Sequence, residues 1–94
     1  MRQTPRRAPR RDANEREIID ALEAIGASVV QGGPLDLIVG YRGSNYIMEV
    51  KDGSKPPSKR KLTSSEQEFI DGWEGRADVV ESIDEAFAVL GVRA

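Results

Sequence analysis

The chain has 94 residues, 38% of them apolar and 32% charged, and a net charge of −2, which bounds it to one domain with a small core. It contains no cysteine and no histidine, so disulfides, thiolate metal sites, cysteine nucleophiles, Ser-His-Asp triads and imidazole-bound zinc are excluded. Near-apolar runs such as Leu35–Val39 fall far short of the ~20 residues that cross a bilayer, and no secretory signal pattern opens the chain. A membrane partner is therefore not expected, and the lack of cysteine is compatible with a cytoplasmic location.

Residues 1–11 hold Arg2, Arg6, Arg7, Arg10 and Arg11, two prolines and no acid, and read as a disordered basic arm ahead of a folded domain over 12–94. Asp12 and Glu15 have capping-box spacing, and Ile18, Ile19, Leu22 and Ile25 recur at helical intervals, which predicts a helix from Ala13 to Ile25 stopped by Gly26. Strands are predicted over Ala27–Gln31, Leu35–Tyr41 and Tyr46–Lys51, the last two joined as a hairpin through Arg42-Gly43-Ser44-Asn45. Asp52 to Leu62 carries Gly53, Pro56 and Pro57 and reads as a mobile loop. Thr63 and Glu66 form a second capping box, opening a helix to about Trp73 that would bury Phe69, Ile70 and Trp73. A fourth strand over Ala77–Glu81 and a last helix, capped by Ser82 and Glu85 and closed by Gly91, complete the order α-β-β-β-α-β-α. The fold class is α/β, a small mixed sheet flanked by helices.

Charge is strongly segregated. The arm is +5, residues 51–61 are +4 (Lys51, Lys55, Lys59, Arg60 and Lys61 against Asp52), and residues 66–85 are −7 (eight acids against Arg76). Basic segments on an acidic body fit a polyanion partner, though a solubilising tail and a solvated loop would give the same pattern.

The most informative charges interrupt apolar strands. Asp36 shares a strand face with Ile38, and Glu49 and Lys51 share one with Ile47. A turn centred on Gly43 and Ser44 pairs Ile38 with Glu49 and Asp36 with Lys51, leaving Asp36 and Glu49 as diagonal neighbours ~7–8 Å apart. On a helical wheel Glu15 lies about 20° from Leu22, on the apolar stripe of the first helix. Three carboxylates and a lysine thus converge on one predicted locus. That is costly unless neutralised, and oxygen donors without imidazole or thiolate select Mg²⁺ or Mn²⁺ over zinc. The plainer alternative is a cross-strand Asp36–Lys51 salt bridge, with Glu15 serving only as the acid of a capping box.

At these residues the chain resembles the PD-(D/E)xK nuclease superfamily, and within it the small stand-alone VRR-NUC domains of phages and bacteria. More distantly it resembles archaeal-type Holliday junction resolvases. The matching pieces are Glu15 in Asn14-Glu15-Arg16-Glu17, Gly33 to Val39 around Asp36, Met48-Glu49-Val50-Lys51, and Leu62-Thr63-Ser64-Ser65-Glu66-Gln67 with Phe69. Leu35 stands between Pro34 and Asp36, where the family often places proline directly before the acid. The resemblance implies a restriction-endonuclease-like αβββαβ core and Mg²⁺- or Mn²⁺-dependent hydrolysis of DNA phosphodiesters. It implies that Asp36 and Glu49 bind metal with the Val50 carbonyl, and that Glu15 completes the shell directly or through water. Lys51 would orient the attacking water, and Gln67 would lie near the metal.

Lys55, Lys59, Arg60 and Lys61, with Arg10 and Arg11 of the arm, would meet substrate phosphates. No base-reading helix is evident, so branched or four-way junction DNA is the expected substrate, cut by a homodimer with two active sites. The competing function is a catalytically silent nucleic-acid-binding module of the same fold acting as an accessory subunit. A third possibility is a small structural protein with an ordinary surface salt bridge.

Overall fold

The computed structural model describes residues 13–93. Arg10, Arg11 and the rest of the expected arm lie outside the described residues, as does Asp12. The first helix, α1 (Glu15–Ala24), leads into a meander of β1 (Ser28–Gln31), β2 (Leu37–Tyr41) and β3 (Ser44–Val50). A segment with one 3₁₀ turn at Pro57–Lys59 leads to α2 (Ser64–Gly72), β4 (Ala77–Val80) and α3 (Ile83–Leu90). The sheet order is β1-β2-β3-β4, antiparallel except for the parallel β3–β4 pair that α2 connects. This is the small mixed sheet with flanking helices that the sequence predicts.

Strand alternation divides the sheet into two unlike faces. Leu37, Val39, Met48, Val50 and Val80 are fully buried on one face against Ile18, Ile19 and Leu22 of α1 and Ala86 of α3. The other face carries Ile38 opposite Ile47 and, across the outer pairs, Val30 and Ala77. It is only partly covered, because no residue of α2 is buried and Val30 and Val79 remain 60% and 38% exposed. Trp73 does not enter a core as expected. It stacks on Phe69 with ring centroids 5.1 Å apart and stays 45% exposed, because α2 ends at Gly72 and turns Trp73 into extended backbone.

The hairpin register also differs from expectation. Arg42 and Gly43 alone form the loop, both with positive φ (51° and 83°), so Leu37 opposes Met48 and Ile38 opposes Ile47. Positive φ at both positions is the two-residue turn that matches strand twist. The register moves by two residues from that of a turn centred on Gly43-Ser44, which leaves every side chain on its expected face but shifts its partner.

The helix caps are mixed in outcome. Thr63 and Glu66 make the full predicted box, Ser82 Oγ accepts the Glu85 N–H, and Gly91 closes α3 in the left-handed conformation. At α1 the cap residue is Asn14, and its side chain does not cap. Instead Asn14 Nδ2 donates to the carbonyls of Lys51 and Glu81, both at 3.0 Å, clamping the start of α1 to the residues that follow β3 and β4. The Glu85 carboxylate reaches the Glu81 N–H at 2.8 Å.

Two glycines with positive φ give a graded test. A Cβ on Gly43 would meet nothing within 4 Å, so Gly43→Ala should cost only the backbone term, roughly 1 kcal/mol. Gly33 holds φ at +100° and its Cβ would come within 2.9 Å of Ile38 Cδ1, so Gly33→Ala should cost more. Urea midpoints of the two variants should fall in that order.

Candidate active site

Asp36 lies one residue before β2; its carbonyl accepts the Gly32 N–H on the β1 side, but the β2–β3 pairing has not yet begun. Its carboxylate takes over the ladder's work: Asp36 Oδ2 accepts the Val50 N–H at 2.9 Å. Extending the β2–β3 register by one residue sets Asp36 directly across from Glu49, rather than diagonal to it and opposite Lys51 as expected. The two carboxyl groups come within hydrogen-bonding reach of each other.

Glu49 is 3% exposed although it sits on the less covered face. Burial, a hydrogen bond to Glu66 and the neighbouring Asp36 charge push its pKa up to about 8. Lys51 Nζ lies 3.3 Å from Glu49 Oε2 and 3.0 Å from Glu66 Oε1. Burial works against the ammonium, but the contacts with Glu66 and Glu49 outweigh it and hold the Lys51 pKa above its ordinary value. Burial likewise opposes ionisation of Glu66. The Thr63 N–H, Glu49 and Lys51 overcome that, and Glu66 stays below the usual carboxylate range. At neutral pH the group therefore consists of a charged Lys51, a charged Glu66 and a Glu49 reluctant to ionise beside Asp36.

The other expected members are placed as follows. Glu15 is 3% exposed, as its position on the apolar stripe predicts, and accepts from Gln31 Nε2 at 3.3 Å. It descends from the helix on the core side, and among the described residues no group of three His, Cys, Asp or Glu side chains is disposed to hold a metal ion. Glu15, Asp36 and Glu49 thus do not form a three-carboxylate cluster as they stand. Gln67 is exposed and donates to Asp71 at 2.8 Å, one turn along α2. Val50 is fully buried behind them.

The segment after β3 is organised rather than loose. Asp52 accepts from the Ser54 backbone and hydroxyl, Lys55 N–H bonds the Asp52 carbonyl, and Arg60 donates to the Lys55 carbonyl and lies 3.4 Å from Glu81. Arg60 is thereby committed to the fold, whereas Lys59 and Lys61 are exposed and Lys55 is exposed at the same loop. Glu66 is not among the site residues that the sequence points to. Its capping role accounts fully for its spacing, and nothing local in the sequence signals that it also meets Lys51.

A cleft of about 240 Å³ beside the hairpin, lined by Tyr41, Arg42, Tyr46 and Leu90, contains none of the carboxylates or Lys51. Comparison of the chain with models of protein families, with curated proteins and with solved structures finds no match.

The donor chemistry fits a hard divalent cation. Asp36 and Glu49 offer paired oxygens, and the raised pKa of Glu49 marks a buried carboxyl short of positive charge that a cation would supply. A sharp test uses the metal-free protein. A carboxyl whose pKa is raised by folding stabilises the fold while protonated, and that contribution disappears as pH climbs from the ordinary 4.5 towards 8. The chain has no histidine, so no other side chain ordinarily titrates between pH 5 and 8. In EDTA the melting temperature should fall across this range. Glu49→Gln should flatten the fall and melt higher than the wild type at pH 8.

Proposed function

We propose that the protein is a divalent-metal-dependent phosphodiesterase acting on nucleic acid, with Asp36, Glu49 and Lys51 as its reacting group. The observation that carries this reading is the meeting of Asp36, a nearly inaccessible Glu49 and Lys51 at one end of the sheet. An ordinary surface salt bridge would leave both charges solvated and would not bury a second acid against the first. Two adjacent carboxylates with an ammonium alongside suit an attack by water on a phosphodiester.

Asp36 and Glu49 would hold Mg²⁺ or Mn²⁺, with the Val50 carbonyl as a further oxygen and Glu15 acting through water. The cation, when bound, supplies Lewis-acid polarisation of the phosphate and acidifies water. Lys51 donates hydrogen bonds to the attacking water and to the phosphoryl oxygens as their charge grows. Asp36, anchored by the Val50 N–H, cannot swing away from Glu49. Lys55, Lys59 and Lys61 follow the lysine-bearing strand and would meet backbone phosphates next to the reacting one. Arg60 is left to brace the loop. DNA, branched or four-way junction in form, is the proposed substrate, and a two-fold homodimer would present two such sites for paired cuts. No described helix is long and apolar enough to cross a membrane, and we place the activity inside the cell.

The deciding experiment is a cleavage panel with Mg²⁺ or Mn²⁺ on duplex, single-stranded, flap, splayed and four-way junction DNA. Cleavage should require the metal, and Glu49→Ala and Lys51→Ala should each abolish it while the fold and DNA binding persist. Wild-type rates in both variants would remove these residues from the chemistry. Salt-sensitive binding without cleavage under any metal would support the silent binding module instead. Removing residues 1–11 should weaken binding and make its salt dependence shallower, because it deletes five arginines.

A further inference from the structure

Lys51 stands just past the end of β3 on a four-carbon side chain, which by itself leaves the ammonium many positions. Two carboxylates remove that freedom, and the nearer is Glu66, at 3.0 Å against 3.3 Å for Glu49. Glu66 lies in the first turn of α2, and its Oε1 also accepts the Thr63 N–H at 2.8 Å. One carboxylate oxygen therefore closes the helix cap and holds the lysine. The arrangement also has a chemical consequence for Glu49. An ammonium paired with Glu49 alone would be drawn fully onto the oxygens that a cation needs, whereas a second anchor divides it between Glu66 Oε1 and Glu49 Oε2.

We propose that Glu66 is a positioning residue for Lys51, tying the ammonium to the capped start of α2 so that it is held between Glu66 and the Asp36–Glu49 pair. This rests on the reading of Asp36, Glu49 and Lys51 as the reacting group. Because Lys51 opens the basic loop and Thr63 follows it, the same contact pins the two ends of that loop together.

Three variants separate the cap from the anchor. Thr63→Ala removes the hydroxyl that accepts the Glu66 N–H at 3.2 Å but keeps the backbone N–H that bonds the Glu66 carboxylate. Glu66→Gln keeps a neutral acceptor for that N–H and loses the charge facing Lys51, and Glu66→Ala loses both. The readouts are thermal melting, kcat and KM on the DNA that the wild type cuts, and NMR order parameters of the Lys51 Cε methylene against those of the exposed Lys59 and Lys61. Thr63→Ala should melt earlier yet keep kcat and an ordered Lys51. Glu66→Ala should let Lys51 become as mobile as the loop lysines and lower kcat on the order of tenfold or more, with KM little changed. Glu66→Gln should fall between them in kcat while melting close to the wild type. A Lys51 as ordered in Glu66→Ala as in the wild type would overturn the proposal. So would a Thr63→Ala that loosens Lys51 as much as Glu66→Ala does. A wild type that cuts no substrate defeats the reading of the site, and the Lys51 order comparison still decides whether Glu66 holds the lysine.

Discussion

Arg42 and Gly43 reverse the chain in two residues of positive φ, and the register this turn imposes decides which side chains can meet. With Leu37 opposite Met48, Asp36 arrives beside Glu49 and within reach of the Val50 N–H. A slip of one residue would carry a strand's apolar set out of the core and its charged set in, so the core itself forbids it. A slip of two would satisfy the core equally well but would set Asp36 against Lys51, an ordinary ion pair. The turn excludes that second arrangement, and the core does not.

The distribution of burial explains how a small domain tolerates such a group. The fully buried residues lie together on the face that α1 and α3 cover. The face bearing Glu49 and Lys51 contributes little to that core, and α2 across it buries nothing completely. Destabilising electrostatics are thus confined to the side of the sheet that the hydrophobic core does not depend on. The same separation leaves Glu49 nearly inaccessible yet outside the hydrophobic core cluster.

Order and type of the elements were readable from the sequence because their causes are local. Capping pairs at Thr63/Glu66 and Ser82/Glu85, the helical spacing of Ile18, Ile19 and Leu22, and strand alternation each span a few residues. Alternation also placed Asp36, Glu49 and Lys51 on their faces, since a two-residue error in register does not change a face. What escaped had distant causes. A left-handed Arg42 leaves no composition signal, so the sequence alone centres the turn one residue too late. A helical wheel shows that Phe69, Ile70 and Trp73 share a side but not whether anything packs against that side. Arg60 reads as one more loop cation until Glu81, far along the chain, is found beside it. Glu66 escaped for the opposite reason: a local role already explained it.

Asn14 is a chemical weak point of the fold. Both protons of its amide are directed at carbonyls, those of Lys51 and Glu81, while its Oδ1 is buried without a hydrogen-bond partner. That pattern fixes the orientation of the amide, since reversing it would press oxygen against two carbonyl oxygens. It also means that no hydroxyl or carboxyl can substitute for it. Deamidation, the slow hydrolysis that turns asparagine into aspartate as proteins age, would place a negative charge against both carbonyls and drive apart the start of α1 and the ends of β3 and β4 at once. Since the Lys51 backbone is one of the two carbonyls held, chemical ageing at residue 14 would reach the lysine of the site.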